Sequence, residues 1–135
     1  CDILRQELAQ GVRVISENDD FVAIAPYAAR FPFETWILPK AHEPFFEEAE
    51  KHAYVNLSKI LRELVARIER VLSNPPYNLI IHSTPLRETD GRYYHWHIEL
   101  MPKLTHVAGF EWGSGFYINP TPPEESARYL RDLRL

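Results

Sequence analysis

A chain of 135 residues with 45% hydrophobic and 25% charged side chains has the size and composition of one soluble domain with its own core. Its net charge of −4 excludes a broad basic surface for nucleic acid or membrane, and no apolar run approaches the roughly 18–20 residues that span a bilayer. A single cysteine excludes an internal disulfide framework and fits a reducing cytoplasm. Because residue 1 is Cys1 and not Met, the chain is expected to be part of a longer protein.

In chain order, "DILRQELAQG" predicts a short helix stopped by Gly11. "VRVIS" and "FVAIA" are β-rich runs joined by the polar "ENDD", a hairpin pattern. "FETWILPK" is a third strand, stopped by Pro39. In residues 51–74, Leu57, Ile60, Leu61, Leu64, Val65, Ile68, Val71 and Leu72 recur at three- and four-residue spacing, which predicts one helix of five to six turns. "YNLIIH" is a fourth strand and "YYHWHIELMP" (93–102) a fifth. "HVAGFEWGSGFYINP" is expected to form a strand edge and a binding loop. "TPPEESARYLRDLRL" predicts a terminal helix with Pro at its start and Glu in its first turn. The order β-β-β-α-β-β-α implies an α+β domain over 1–135, with helices on an antiparallel sheet.

Six histidines are more than such a chain usually needs. Alternation along a strand would put His95, His97 and Glu99 on one face and Tyr94, Trp96, Ile98 and Leu100 on the core face. A solvated strand face seldom carries three converging titratable groups. A His-x-His pair also suits a metal, since imidazole is a standard ligand of zinc and iron. The spacing alone leaves metal binding, catalysis and a solvated face open.

"YYHWHIEL" resembles the His-x-His-x-His/Gln signature of the histidine-triad superfamily. "FVAIAPYAARFPFETWILPKAHEPFFEE" and "YNLIIHSTP" are similar to the segments that precede it. Within that superfamily, "PYAARFPFETWILPK", "YYHWHIELMPKLT" and "GFEWGSGFYINPTPPEESA" most resemble the C-terminal half of galactose-1-phosphate uridylyltransferases. Plant ADP-glucose phosphorylase-like proteins are close relatives. The resemblance implies a histidine-triad-like antiparallel sheet with one long helix and a C-terminal helix. It implies a cytoplasmic, homodimeric, two-domain transferase acting on UDP-hexose and hexose 1-phosphate. Its N-terminal half carries the nucleophile, the middle histidine of His-Pro-His-x-Gln, which holds UMP covalently.

This chain has no such motif. By analogy His97 holds the nucleophile's place, but Glu99 stands where the signature has His or Gln, and a carboxylate there would repel a phosphate. The alternatives are a stand-alone histidine-triad nucleotide hydrolase or transferase using His97, and a non-catalytic nucleotide- or metal-binding module.

The resemblance also implies a zinc or iron site, in one of two arrangements. The first uses Cys1, as the second half of a Cys-x-x-Cys, with His42 and His95. The second uses His82, His95 and His97. Both include His95, so they are expected to exclude each other. His52 and His106 have no place in either. In the glycine–aromatic segment, Glu111, Trp112, Gly113, Gly115, Phe116 and Asn119 are the expected sugar contacts, since glycine admits a close approach and aromatic rings stack on sugars. Phe110 and Tyr117 are the aromatics there most apt to fill the core instead. Arg30, Lys40, Arg87, Arg92 and Lys103 are the candidate phosphate neighbours.

Overall fold

The computed structural model describes residues 1–104 and 106–134. Leu135, at the end of the expected terminal helix, lies outside them, as does Thr105.

Helix α1 runs Asp2–Gln10 and ends at Gly11, which adopts the left-handed conformation (φ 66°) that glycine tolerates. Strands β1 (Val14–Glu17), β2 (Phe21–Ile24) and β3 (Thr35–Pro39) form the expected meander. The β1–β2 turn is tied by Asn18, whose side-chain oxygen accepts the backbone N–H groups of Asp20 and Phe21. A short 3-10 turn at Phe46–Glu48, absent from the sequence reading, precedes helix α2 (Lys51–Val71). Strands β4 (Tyr77–His82) and β5 (His97–Pro102) follow, then helices α3 (Gly109–Ser114) and α4 (Pro123–Asp132). The sheet order is β1-β2-β3-β5-β4, antiparallel throughout.

Alternation sorts the sheet into two faces. Phe21, Ala23, Ile37, Trp96, Ile98 and Leu100 pack against Ala53, Leu57, Ile60, Leu64 and Ile68 of α2 and Ala127 and Leu130 of α4. Each fully buried aliphatic side chain there contributes about 1.5–3 kcal/mol, so the apolar stripe of α2 anchors this face. The opposite face is covered only in part. Leu4 of α1 packs with Val22, Ile24, Leu38 and the ring of Trp36. Over β5 and β4 this second face carries polar groups.

Two elements differ from the expectation. The fifth strand begins at His97, not Tyr93. Its neighbour β4 ends at His82, opposite His97, and β3 ends at Pro39, which has no N–H to donate to the chain before His97. Instead the Trp96 N–H donates to the Glu43 carbonyl (3.0 Å) and its indole N–H to the Glu43 carboxylate (3.1 Å). The glycine–aromatic segment is not a strand edge. It folds as α3, where the Glu111 carboxylate accepts the Ala108 N–H (3.1 Å) and Gly115 ends the helix at φ 73°. Its aromatics fill no core: Phe110, Trp112, Phe116 and Tyr117 are all exposed.

Candidate functional site

The late start of β5 decides the site. His95 lies outside the strand, so its side chain does not share a face with His97 and Glu99. It turns toward the N-terminus, where the Cys1 Sγ lies 3.2 Å from His42 Nδ1 and 3.7 Å from His95 Nδ1. The three ligand atoms lie within 4.8 Å of one another. His95 Nε2 is 2.8 Å from the Pro39 carbonyl oxygen. A carbonyl only accepts, so Nε2 carries the proton and Nδ1 presents its lone pair to Cys1. This is the orientation device of metal-bound histidines. Burial, the largest cause, and the nearby N-terminal charge and His42 and His97 rings hold the His95 pKa below the ordinary imidazole range, against the Pro39 hydrogen bond. The ring is therefore neutral at pH 7, as a ligand must be.

A second cluster stands on the open face. His82 and His97 are directly paired across β4 and β5, their rings stacked at 4.8 Å. Glu99 follows on the same face, 6% exposed. One nitrogen of each ring and a Glu99 oxygen lie within 4.8 Å of one another, and His97 Nε2 lies 3.8 Å from Glu99 Oε1. His97 Nδ1 is 3.1 Å from the His95 carbonyl oxygen, which turns its Nε2 lone pair into the cluster. Burial, above all, and the His82 ring lower the His97 pKa, against that hydrogen bond and Glu99. His82 Nε2 is buried, 3.4 Å from Glu99 Oε2, yet lacks a hydrogen-bond partner. A buried nitrogen without a partner is costly, and its position between two ligand-type groups suits a cation.

The two ligand sets expected to compete for His95 therefore share no residue. His95 belongs with Cys1 and His42. In the set of His82, His95 and His97, Glu99 takes the place of His95. Alternation could not show this, because it assumed an unbroken strand.

Other expected groups fall elsewhere. Lys40 pairs with Glu17 (2.9 Å), Arg92 pairs with Asp90, and Lys103 lies over the Phe31 ring. Arg87 is exposed. Of the five basic candidates, Arg30 reaches the second cluster, with Nη2 2.7 Å from Glu99 Oε2. His52 is exposed beside Glu50, and His106 is exposed. Among the sugar-contact candidates, Asn119 donates to the Ala29 and Phe31 carbonyls and Glu111 caps α3. Trp112 (80% exposed), Gly113, Gly115 and Phe116 are open to solvent.

The sequence reading missed a cleft of about 470 Å³ between α1 and the β2–β3 turn, lined by Ile3, Gln6, Gln10, Arg13, Tyr27 and Trp36. The Trp36 ring lies 5.1 Å from the His97 ring, so the cleft adjoins the second cluster. The Trp36 indole N–H donates to the buried Glu34 carboxylate, which fixes the ring. Trp36 in the "TWILP" run was visible in the sequence, but its place beside His97 follows from the β3–β5 register, which pairs Trp36 with Glu99.

Comparison with known proteins identifies the family and the fold. The family described as galactose-1-phosphate uridyl transferase, C-terminal domain, matches residues 1–128. ADP-glucose phosphorylase of Arabidopsis thaliana is 42% identical over 124 residues, 90% of this chain and 35% of that protein. Its crystal structure with bound ADP-glucose superposes with a TM-score of 0.92 at 39% identity, covering all of this chain and 44% of the other. Galactose-1-phosphate uridylyltransferase of Thermotoga maritima is 33% identical over 100% of this chain and 44% of that protein. The chain thus spans less than half the length of these relatives. The fold also recurs in a zinc-bound histidine-triad family protein of Mycobacterium smegmatis, at TM-score 0.66 and 18% identity over 97% of this chain and 90% of the other. With the profile matching nearly its whole length, the chain belongs to the family of galactose-1-phosphate uridylyltransferase C-terminal domains.

Proposed function

We propose that this chain is the C-terminal half of a hexose-1-phosphate nucleotidyltransferase, a homodimeric cytoplasmic enzyme that moves UMP between UDP-glucose and galactose 1-phosphate. The observation that carries the reading is the family match over residues 1–128 together with the absence of a third histidine or a glutamine at the third triad position, which Glu99 occupies. In this reading a histidine of the other half attacks the α-phosphorus of UDP-glucose and expels glucose 1-phosphate. An oxygen of galactose 1-phosphate then attacks the phosphoramidate and takes the UMP, which returns the histidine. The present chain supplies sugar contacts from the exposed segment of Trp112, Gly113, Gly115 and Phe116, with Glu111 and Asn119 shaping that segment.

Cys1, His42 and His95 would hold a zinc or iron ion, completed by a further ligand such as a cysteine three positions before Cys1. Closed by such a fourth protein ligand, the set would have no open position for substrate and would stabilise the fold. His82, His97 and Glu99 are a second candidate, a nitrogen–oxygen set that suits iron or zinc. When bound, either ion supplies a fixed positive charge that holds chain segments together.

The test uses the intact protein and UDP-glucose radiolabelled at the α-phosphorus. Acid-labile label should appear on protein and survive His97→Ala. If that substitution abolishes the label, His97 is the nucleophile and the assignment to the other half is wrong. The cleft beside Trp36 favours that second reading, a histidine-triad nucleotide hydrolase or transferase, because it offers an aromatic-lined space next to His97.

A further inference from the structure

Arg30 stands in an unusual relation to the second cluster. Glu99 is a buried carboxylate, and a buried charge requires a partner. Arg30 is 43% exposed along its side chain, and its Nη2 lies 2.7 Å from Glu99 Oε2. The same Glu99 oxygen lies 3.4 Å from the unpartnered His82 Nε2. The Glu99 oxygen that faces His82 is thus already taken by a guanidinium, while the other, Oε1, lies 3.8 Å from His97 Nε2. The base of Arg30 is also held. Its backbone N–H donates to Glu34 Oε2 (2.8 Å), and its Nε lies 3.8 Å from that oxygen. Glu34 is 1% exposed and also fixes the Phe31 N–H and the Trp36 indole. Arg30 therefore sits on a rigid turn with its head free to leave toward solvent.

We propose that Arg30 is the built-in counter-ion of Glu99 and sets the affinity of His82, His97 and Glu99 for a divalent metal, which must displace the guanidinium to bind. A divalent ion between the two Nε2 atoms and Glu99 would lie within a few ångströms of the guanidinium, and two cations on one carboxylate repel. Metal-free protein keeps Glu99 paired, so its charge no longer opposes a nearby phosphate. Metal-loaded protein releases the Arg30 head toward solvent. The inference rests on the second cluster taking a metal and is independent of the transferase reading.

Cobalt(II) binding to the intact metal-free protein tests it. Only the first cluster contains a thiolate, so cobalt there gives a sulfur-to-metal charge-transfer band, while cobalt at the second gives ligand-field bands without one. Arg30→Met should raise cobalt affinity at the second cluster by at least about tenfold, the size of a lost charge-assisted hydrogen bond. Arg30→Gln serves the same purpose if the methionine variant melts early. In a Glu99→Gln background, replacing Arg30 should change that affinity by about twofold or less. Equal or weaker binding in the Arg30 variants overturns the proposal alone. A full effect persisting with Glu99→Gln also overturns it, since Arg30 would then act by long-range charge. Absence of cobalt from the second cluster in every protein overturns the metal reading, and the proposal with it.

Discussion

The Pro39 carbonyl at the end of β3 fixes the His95 ring, through the 2.8 Å contact with Nε2, so that Nδ1 faces the Cys1 sulfur. One strand end thereby sets the tautomer of a residue 56 positions away. The expected outcome is that Cys1→Ser and His42→Ala each remove one tightly bound metal per chain from purified intact protein, read by elemental analysis. Chelation should lower the melting temperature of the wild type by more than that of these variants. Full metal content in either variant would sink the assignment.

Acid should weaken the metal-free protein in a defined window. Burial depresses the folded pKa of His95 and His97. The unfolded chain protonates first as pH falls. Stability is therefore fully present above the unfolded value of about 6.5 and declines as pH falls through it toward the lowered folded values. Melting temperatures between pH 7.5 and 5 should show this decline, and the double variant His95→Gln, His97→Gln should flatten it. A flat wild-type profile over that range contradicts the argument.

Arg13 ties the two terminal helices together. Its guanidinium meets the buried Glu7 carboxylate of α1 (2.9 Å) and Glu124 in the first turn of α4 (2.7 Å). The two hydrogen-bonded carboxylates, Glu7 first, push the Arg13 pKa up, and Arg13 lowers that of Glu124. Arg13→Met strands a buried charge at Glu7 and should cost about 3–5 kcal/mol, measured by urea unfolding. Replacing Glu7 and Arg13 together with apolar residues should cost much less; an equal loss would show that packing, not charge, is responsible.

Gly91 allows the loop before His95 to lie on Pro44. A Cβ at this position would stand 2.2 Å from the Pro44 Cβ. Gly91→Ala should therefore cost about 1–3 kcal/mol by thermal unfolding. It should also weaken metal binding at Cys1, His42 and His95, because Pro44 and His42 share one short segment. A variant with wild-type stability and metal content would show that this contact yields freely.

Much of the fold could be read along the chain. The three- and four-residue spacing from Leu57 to Leu72 marked α2, and Gly11 marked the end of α1, because local periodicity and backbone freedom are properties of neighbouring residues. Trp96, Ile98 and Leu100 reached the core as alternation required. The segment from Gly109 to Ser114 misled because aromatic content suggests a strand, while helix or strand is decided by partners: no strand lies beside it, and Glu111 and Gly115 close a helix instead. Tyr93 to Trp96 failed as strand because β4 ends opposite His97 and Pro39 of β3 has no N–H to offer, so Trp96 bonds to Glu43 instead.

The amino-acid sequence by itself determined the family, the order of the five strands and of α1, α2 and α4, and which residue types carry the chemistry: one cysteine, the histidines of 42, 82, 95 and 97, and a glutamate at 99. Only the tertiary structure decided who stands with whom. The β4–β5 register sets His82 opposite His97, the turn after β3 brings His42 to Cys1, and the hydrogen bonds from Trp96 to Glu43 send His95 away from its neighbour. Ligand sets and the Arg30–Glu99 pair join residues dozens of positions apart, so they depend on strand order and register. Local pattern does not encode these; they follow from the packing of the whole sheet.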